Sequence, residues 1–267
     1  MFEDTQVSFR GQFAVARAAI SMRFVLQGED PVEGLLARFF ASVPEDRELF
    51  QLASATSHRM TRLAQRKKRG KYLHRIGDEP EFAVGEFAFE LIPGQPTVTW
   101  ALPVAWPANR LRALFEEAVT FAQPAHASCG YGFNLVWGRE WEQCALPVLL
   151  RLGLAFPVVD VPCREFDQRS RDIRGPAWLT YLGATLCARV EGNGQPFGSG
   201  MMFSSGDTPH HALEPHATLA KTLRPIRANE WGFARSLLEM THFAGVLTGY
   251  EMPIADVNAD SWFSRLD

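Results

Sequence analysis

The chain has 267 residues, 46% hydrophobic and 21% charged, with 20 Phe and 7 Trp, which excludes a disordered polymer and allows a substantial core. Its 27 Lys and Arg against 30 Asp and Glu leave a formal net charge of -3, too small for a general nucleic-acid binder, although patches of either sign can share one surface. Four dispersed cysteines, Cys129, Cys144, Cys163 and Cys187, form no CxxC pair and are expected to be reduced.

The opening residues carry acidic side chains before the first basic one, and the apolar stretch that follows is interrupted by Arg17 and Arg23. Neither a bilayer span nor an ordinary signal peptide is expected, so the expected location is cytoplasmic. Short apolar segments over 13–26 predict one or two early strands. Residues 30–40 predict a helix, with Asp30 as N-cap, Pro31 in the first turn and Leu35, Leu36, Phe39 and Phe40 on its apolar face. A second helical region is expected within 45–69, anchored by Leu49, Leu52, Met60 and Leu63, with Gly70 as a break.

FAVGEFAFEL alternates like a strand, PGQP reads as a turn, and TVTWAL returns, predicting a hairpin over 82–102. Pro107 opens a helix with Leu111, Leu114, Phe115 and Val119 on its dry side and Glu116 and Glu117 on its wetter side. YGFNLVW at 131–137 reads as a buried strand, and 140–152 as a helix divided by Pro147. A further helix is expected over 177–190, then a glycine-rich turn and a strand ending near Phe203. The expected fold class is α+β, with a mixed or largely antiparallel sheet packed against helices. One compact domain over 1–267 is expected, with any subdivision near 103–106; two related halves remain an open arrangement.

Motifs that carry chemistry are scarce. GNGQPFGSG at 192–200 lacks the offsets of a dinucleotide loop, and Pro196 opposes a helix opening there, so it reads as a turn. His210, His211 and His216 lie near Asp207 and Glu214, a set that could ligate a metal in an enzyme. SGDTPHHALEP reads first as a solvated loop and only then as a partner contact. A thiolate–imidazole pair of Cys129 with His126 would need alignment that sequence does not supply, and no serine forms a GxSxG elbow. The run RKKRGKYLHR, with Arg66, Lys67, Lys68, Arg69 and Tyr72, could meet phosphates and a base, but reads first as a solvated segment and next as a protein contact. No cofactor, no metal and no catalytic residue are expected.

RGPAWLTYLGATLCARV at 174–190 contains Trp178, Leu179, Leu182 and Leu186 at helical spacing, so core packing explains it physically. The same stretch resembles the WLTfLG segment of the type VI secretion immunity family, also known as the DUF3396 family. LRPIR at 223–227 and the closing WFSRLD at 262–267 resemble further segments of that family, in the right order over the C-terminal third. The chain departs from the pattern at Leu266, where an aromatic residue is frequent, and at SSGDTPHH, which replaces a PQLGD-like continuation.

The resemblance implies a non-enzymatic cytoplasmic antidote whose partner is a cognate toxic effector protein encoded nearby, with neither nucleic acid nor membrane as partner. It transfers no catalytic residue. Exposed polar segments are the candidate partner contacts: Arg66, Lys67, Lys68, Arg69, Tyr72, Glu116, Glu117, Asp207, His210 and His211. A metal-dependent enzyme built on the 207–216 loop and a non-enzymatic scaffold are the alternatives.

Overall fold

The structure is a computed structural model, described here over residues 5–9, 12–43, 87–92, 96–136, 156–160, 172–192, 194–227, 247–248 and 264–267. The expected helices within 45–69 and over 140–152 lie outside these residues, as do Arg66, Lys67, Lys68, Arg69 and Tyr72 of the basic run.

Among the described residues nine strands form one sheet: β1 (Thr5–Phe9), β2 (Gln12–Val25), β3 (Ala88–Ile92), β4 (Thr97–Leu102), β5 (His126–Val136), β6 (Leu179–Leu182), β7 (Gln195–Phe197), β8 (Gly200–Ser204) and β9 (Leu247–Thr248). The main path runs β3-β4-β2-β5-β6-β8-β7, with β1 pairing β2 and β9, and every pairing between these strands is antiparallel. The long β2 is the spine. Its first half pairs β1 and its second half β4 along one edge, while β5 runs along the other from Val15↔Val136 to Val25↔His126. The expected α+β class, with a largely antiparallel sheet against helices, is what the chain adopts.

Strand alternation decides what each sheet face carries. Ile20, Met22 and Phe24 of β2 point to one side, where α1 (Val32–Ser42) and α2 (Ala108–Ala122) cover them. The core there is aromatic: Phe24 packs on Trp100 with centroids 5.1 Å apart and on Phe115 at 5.8 Å, and Phe39 on Trp100 and Phe89, each at 5.6 Å. Leu35, Leu36, Phe39 and Phe40 are buried as their spacing predicts. Asp30 is not the cap, however. Pro31 occupies that position in a helical conformation and accepts from Leu35 N at 2.9 Å, so the helix starts one residue later than an Asp30 cap allows. Pro107 caps α2 and accepts from Leu111 N at 3.1 Å.

The stretch 177–190, expected to be one helix, divides into a four-residue strand and a four-residue helix. Leu179 to Leu182 pair with β5 and β8, and only α3 (Ala184–Cys187) is helical. Each of Trp178, Leu179, Thr180, Tyr181 and Leu182 is buried. A short run buried on both sides is the mark of a central strand, and helical spacing of its leucines is coincidental. Leu179 and Tyr181 face the α1–α2 core, while Leu182 joins Ile173, Phe203, Leu219, Leu223 and Ile226 in a second core closed by α4 (Ala217–Leu223). The glycine-rich segment makes the β7–β8 hairpin, as expected.

Candidate functional site

On the face of β2 opposite α1 and α2, Ser21 and Arg23 are buried. Ser21 Oγ donates to Asp160 Oδ2 at 2.6 Å, and Arg174 Nη1 lies 3.1 Å from Asp160 Oδ1. Asp160 reaches them because its segment pairs with β5 beyond the end of β6: Asp160 N donates to Tyr131 O at 2.8 Å, and Phe133 N to Asp160 O at 3.1 Å. Gly132 makes this approach possible, since a Cβ there would lie 2.5 Å from Ser21 Cβ and 3.1 Å from Asp160 O. Burial pushes the Asp160 carboxyl up, but the Arg174 and Arg23 charges and the Ser21 hydrogen bond outweigh it and hold the carboxyl below its ordinary value.

The three family-like segments converge beside this carboxylate. Ile173 N, just before the 174–190 stretch, donates to Ile226 O at 3.1 Å, and Leu182 within that stretch shares a core with Leu223 and Ile226 of LRPIR. Arg227 Nη2 donates to Asp267 Oδ1 at 2.5 Å, and Arg265 Nη2 to Arg174 O at 3.1 Å, tying the closing segment to both. Leu266, at the position where the family favours an aromatic, is buried against Gly175. Among the described residues of these segments, Trp178 to Leu182, Leu223, Ile226, Arg227 and Leu266 are buried and lock the fold, while Arg224, Pro225, Ser264 and Asp267 are exposed.

The exposed candidates sit on the helix side. Glu117 pairs with Arg38 of α1 at 3.2 Å, and Glu116 with Arg112 at 3.8 Å. Arg112 also donates to Ser204 Oγ at 3.3 Å, and its guanidinium stands 5.4 Å from the Trp178 ring. Trp178 in turn anchors the following loop: its Nε1 donates to Gly206 O at 2.9 Å, and its carbonyl accepts from Ser205 N at 3.0 Å. Arg112 thus joins the two candidate segments, Glu116 of α2 and the loop bearing Asp207, His210 and His211, into one exposed rim. Arg112 has no sequence signature; only the fold places it there.

Asp207, His210 and His211 are exposed, with the His211 ring edge-on to Tyr131 at 5.9 Å. His216 is buried; its Nδ1 lies 3.0 Å from Ala212 O, and burial lowers its pKa below the ordinary histidine value. The expected histidine group is thereby divided between surface and interior, and among the described residues no three His, Cys, Asp or Glu side chains are placed to hold a metal. His126 and Cys129 fall on opposite faces of β5, which excludes the thiolate–imidazole pairing that the sequence offers no reason to expect. Burial pushes the Cys129 thiol far up, against a smaller opposing effect of Arg112, and suits a core side chain. Among the described residues no helix is long and apolar enough to cross a membrane.

No family model matches the chain, and no curated protein matches it. Among solved structures it is similar to the Pseudomonas aeruginosa T6SS protein PA0821, at 16% sequence identity and a TM-score of 0.62, over 94% of this chain and 82% of that one. At that identity the two share a fold.

Proposed function

We propose that the protein is a type VI secretion immunity protein of the DUF3396 kind, which binds a cognate toxic effector in the cytoplasm and neutralises it without catalysis. The observation that carries the reading is a junction: LRPIR and the end of WFSRLD, two of the segments that resemble one family, meet through Arg227 and Asp267, and Arg265 donates to Arg174 in the residues leading into the third, WLTYLG. Chance matches scattered over a chain have no reason to become neighbours. The fold shared with a T6SS protein supports the same context.

Neutralisation is assigned to the rim built by α2 and the 205–213 loop, where Glu116, Glu117, Asp207, His210 and His211 are available. Arg112 and Trp178 hold that rim in place before a partner arrives, which lowers the ordering cost of binding. Occlusion of the effector's active site or substrate channel is the proposed mode. The test is co-expression of the chain with each effector encoded beside it, scored by survival. Rescue from one neighbouring effector is expected; survival unchanged with all of them would remove the proposal.

A further inference from the structure

Among the described residues Phe121 is the one large apolar side chain left exposed, at 41%. A lone exposed phenylalanine is ordinary, but this one is held in place by contacts from two helices. Its ring lies over Gly34 of α1, where a Cβ would collide with it, so α1 carries glycine, a poor helix former, at the residue that seats the ring. The Arg38 guanidinium stacks on the same ring, 3.7 Å from its centroid. Arg38 is itself fixed, with Nη1 donating to Gly34 O at 3.4 Å and Nε paired with Glu117 Oε1 at 3.2 Å.

The neighbours of the ring decide what could meet it. Glu117 and Phe121 are four residues apart on α2 and share one stripe of the helix, beside the stripe of Arg112 and Glu116 that borders the 205–213 loop. Both arginines are drawn back: the Arg38 side chain, between ring and carboxylate, is 31% exposed, and that of Arg112, against Glu116 and Ser204, is 33% exposed. Glu117 stands forward at 61%, with Oε1 its paired oxygen. A partner that approaches α2 therefore meets an immobilised aromatic ring and a carboxylate ahead of either arginine.

We propose that Phe121 and Glu117 form the centre of the effector-binding surface, and that they take a protein surface carrying an apolar recess for the ring, with a lysine or arginine at its edge for the Glu117 carboxylate. A ring ordered before binding loses little freedom on entering such a recess, and aromatic side chains seated in desolvated pockets carry much of an interface's affinity. The cation at the edge supplies attraction during approach. The inference rests on the immunity reading, whose effector is the partner.

The experiment is titration of each purified neighbouring effector with the full chain and with its variants. Phe121→Ala should weaken the complex about thirtyfold or more. Glu117→Gln, which keeps an oxygen for Arg38, should weaken it about fivefold, chiefly by slowing association at low salt. Lys221→Gln, exposed on α4, should bind as the parent does. Should Phe121→Ala not fold, Ala113→Arg gives the second reading. It adds a bulky cation to the exposed stripe one turn before Glu117, where arginine suits a helix, and should weaken the complex roughly tenfold or more. Binding within about twofold of the parent by folded Phe121→Ala, Glu117→Gln or Ala113→Arg protein would overturn this surface and leave the immunity reading intact. A parent chain that binds none of the effectors would overturn both.

Discussion

Trp178 is the residue whose removal reports most on how this sequence makes its fold. Its side chain is fully buried immediately before β6, its indole donates to Gly206 O at 2.9 Å, and Arg112 stands over its ring. Trp178→Ala removes one of the largest side chains in the α1–α2 core, a change that costs about 3–5 kcal/mol where the surroundings cannot collapse. The lost hydrogen bond adds about 1 kcal/mol. For a chain of this size each kcal/mol moves Tm by about 2–4 °C, so a fall of roughly 8–24 °C is expected.

Trp178→Phe keeps most of the apolar surface and loses the donor, so its loss should be about 1–2 kcal/mol. Urea unfolding followed by circular dichroism measures both, with the midpoint moving at constant m. Amide exchange separates the two roles, since the Phe variant should expose the backbone around Gly206 while leaving β6 protected. A Trp178→Ala protein within about 1 kcal/mol of the parent would refute the core assignment and the anchoring of the loop together.

Other perturbations address the opposite face. Gly132→Ala places a methyl group 2.5 Å from Ser21 Cβ and should cost about 1–3 kcal/mol by denaturant titration, whereas an alanine with no strain to relieve would be neutral or stabilising. Asp160→Asn leaves Arg174 and Arg23 buried beside a neutral group and should cost about 3–5 kcal/mol in the same titration. Two acid-induced losses of stability are expected. His216 has a lowered folded pKa, so its contribution is complete above an unfolded value of about 6.5 and declines as pH falls below it. Asp160 and Asp267 also have lowered folded pKa values, so their contributions are complete above an unfolded value of about 3.9 and decline as pH falls through the lower folded values. Stability measured against pH should therefore fall in two stages, the first absent in His216→Gln and the second reduced in Asp160→Asn.

Local chemistry made much of the helix layer legible. Four apolar side chains of α1 at helical spacing, Pro107 ahead of α2 and the alternation of β3 and β4 each name their element, because each amphipathic pattern has a single partner surface. The stretch 178–182 misled for the opposite reason. A strand buried on both faces has no wet positions to show its period, and Leu179, Leu182 and Leu186 then pass for a helical stripe. At the candidate site, the polarity of Glu116, Glu117, Asp207, His210 and His211 anticipates their exposure or their surface ion pairs. It could not show that Arg112 would link two of these segments. Nor could it show that Asp160, from an irregular segment, would reach Ser21 across a glycine. Such long-range pairings leave no periodic trace; the resemblance marked LRPIR and WFSRLD as segments of interest but not that Arg227 and Asp267 would pair.

Binding to a neighbouring effector, measured with purified proteins, tests the central claim most directly. The chain should form a stable complex with one such effector and suppress its activity at equimolar concentration. Glu117→Arg together with Asp207→Arg should weaken the complex at least tenfold without changing Tm by more than a few degrees. An effector that binds nothing and keeps its full activity beside an excess of this folded protein, for every effector encoded nearby, would contradict the account.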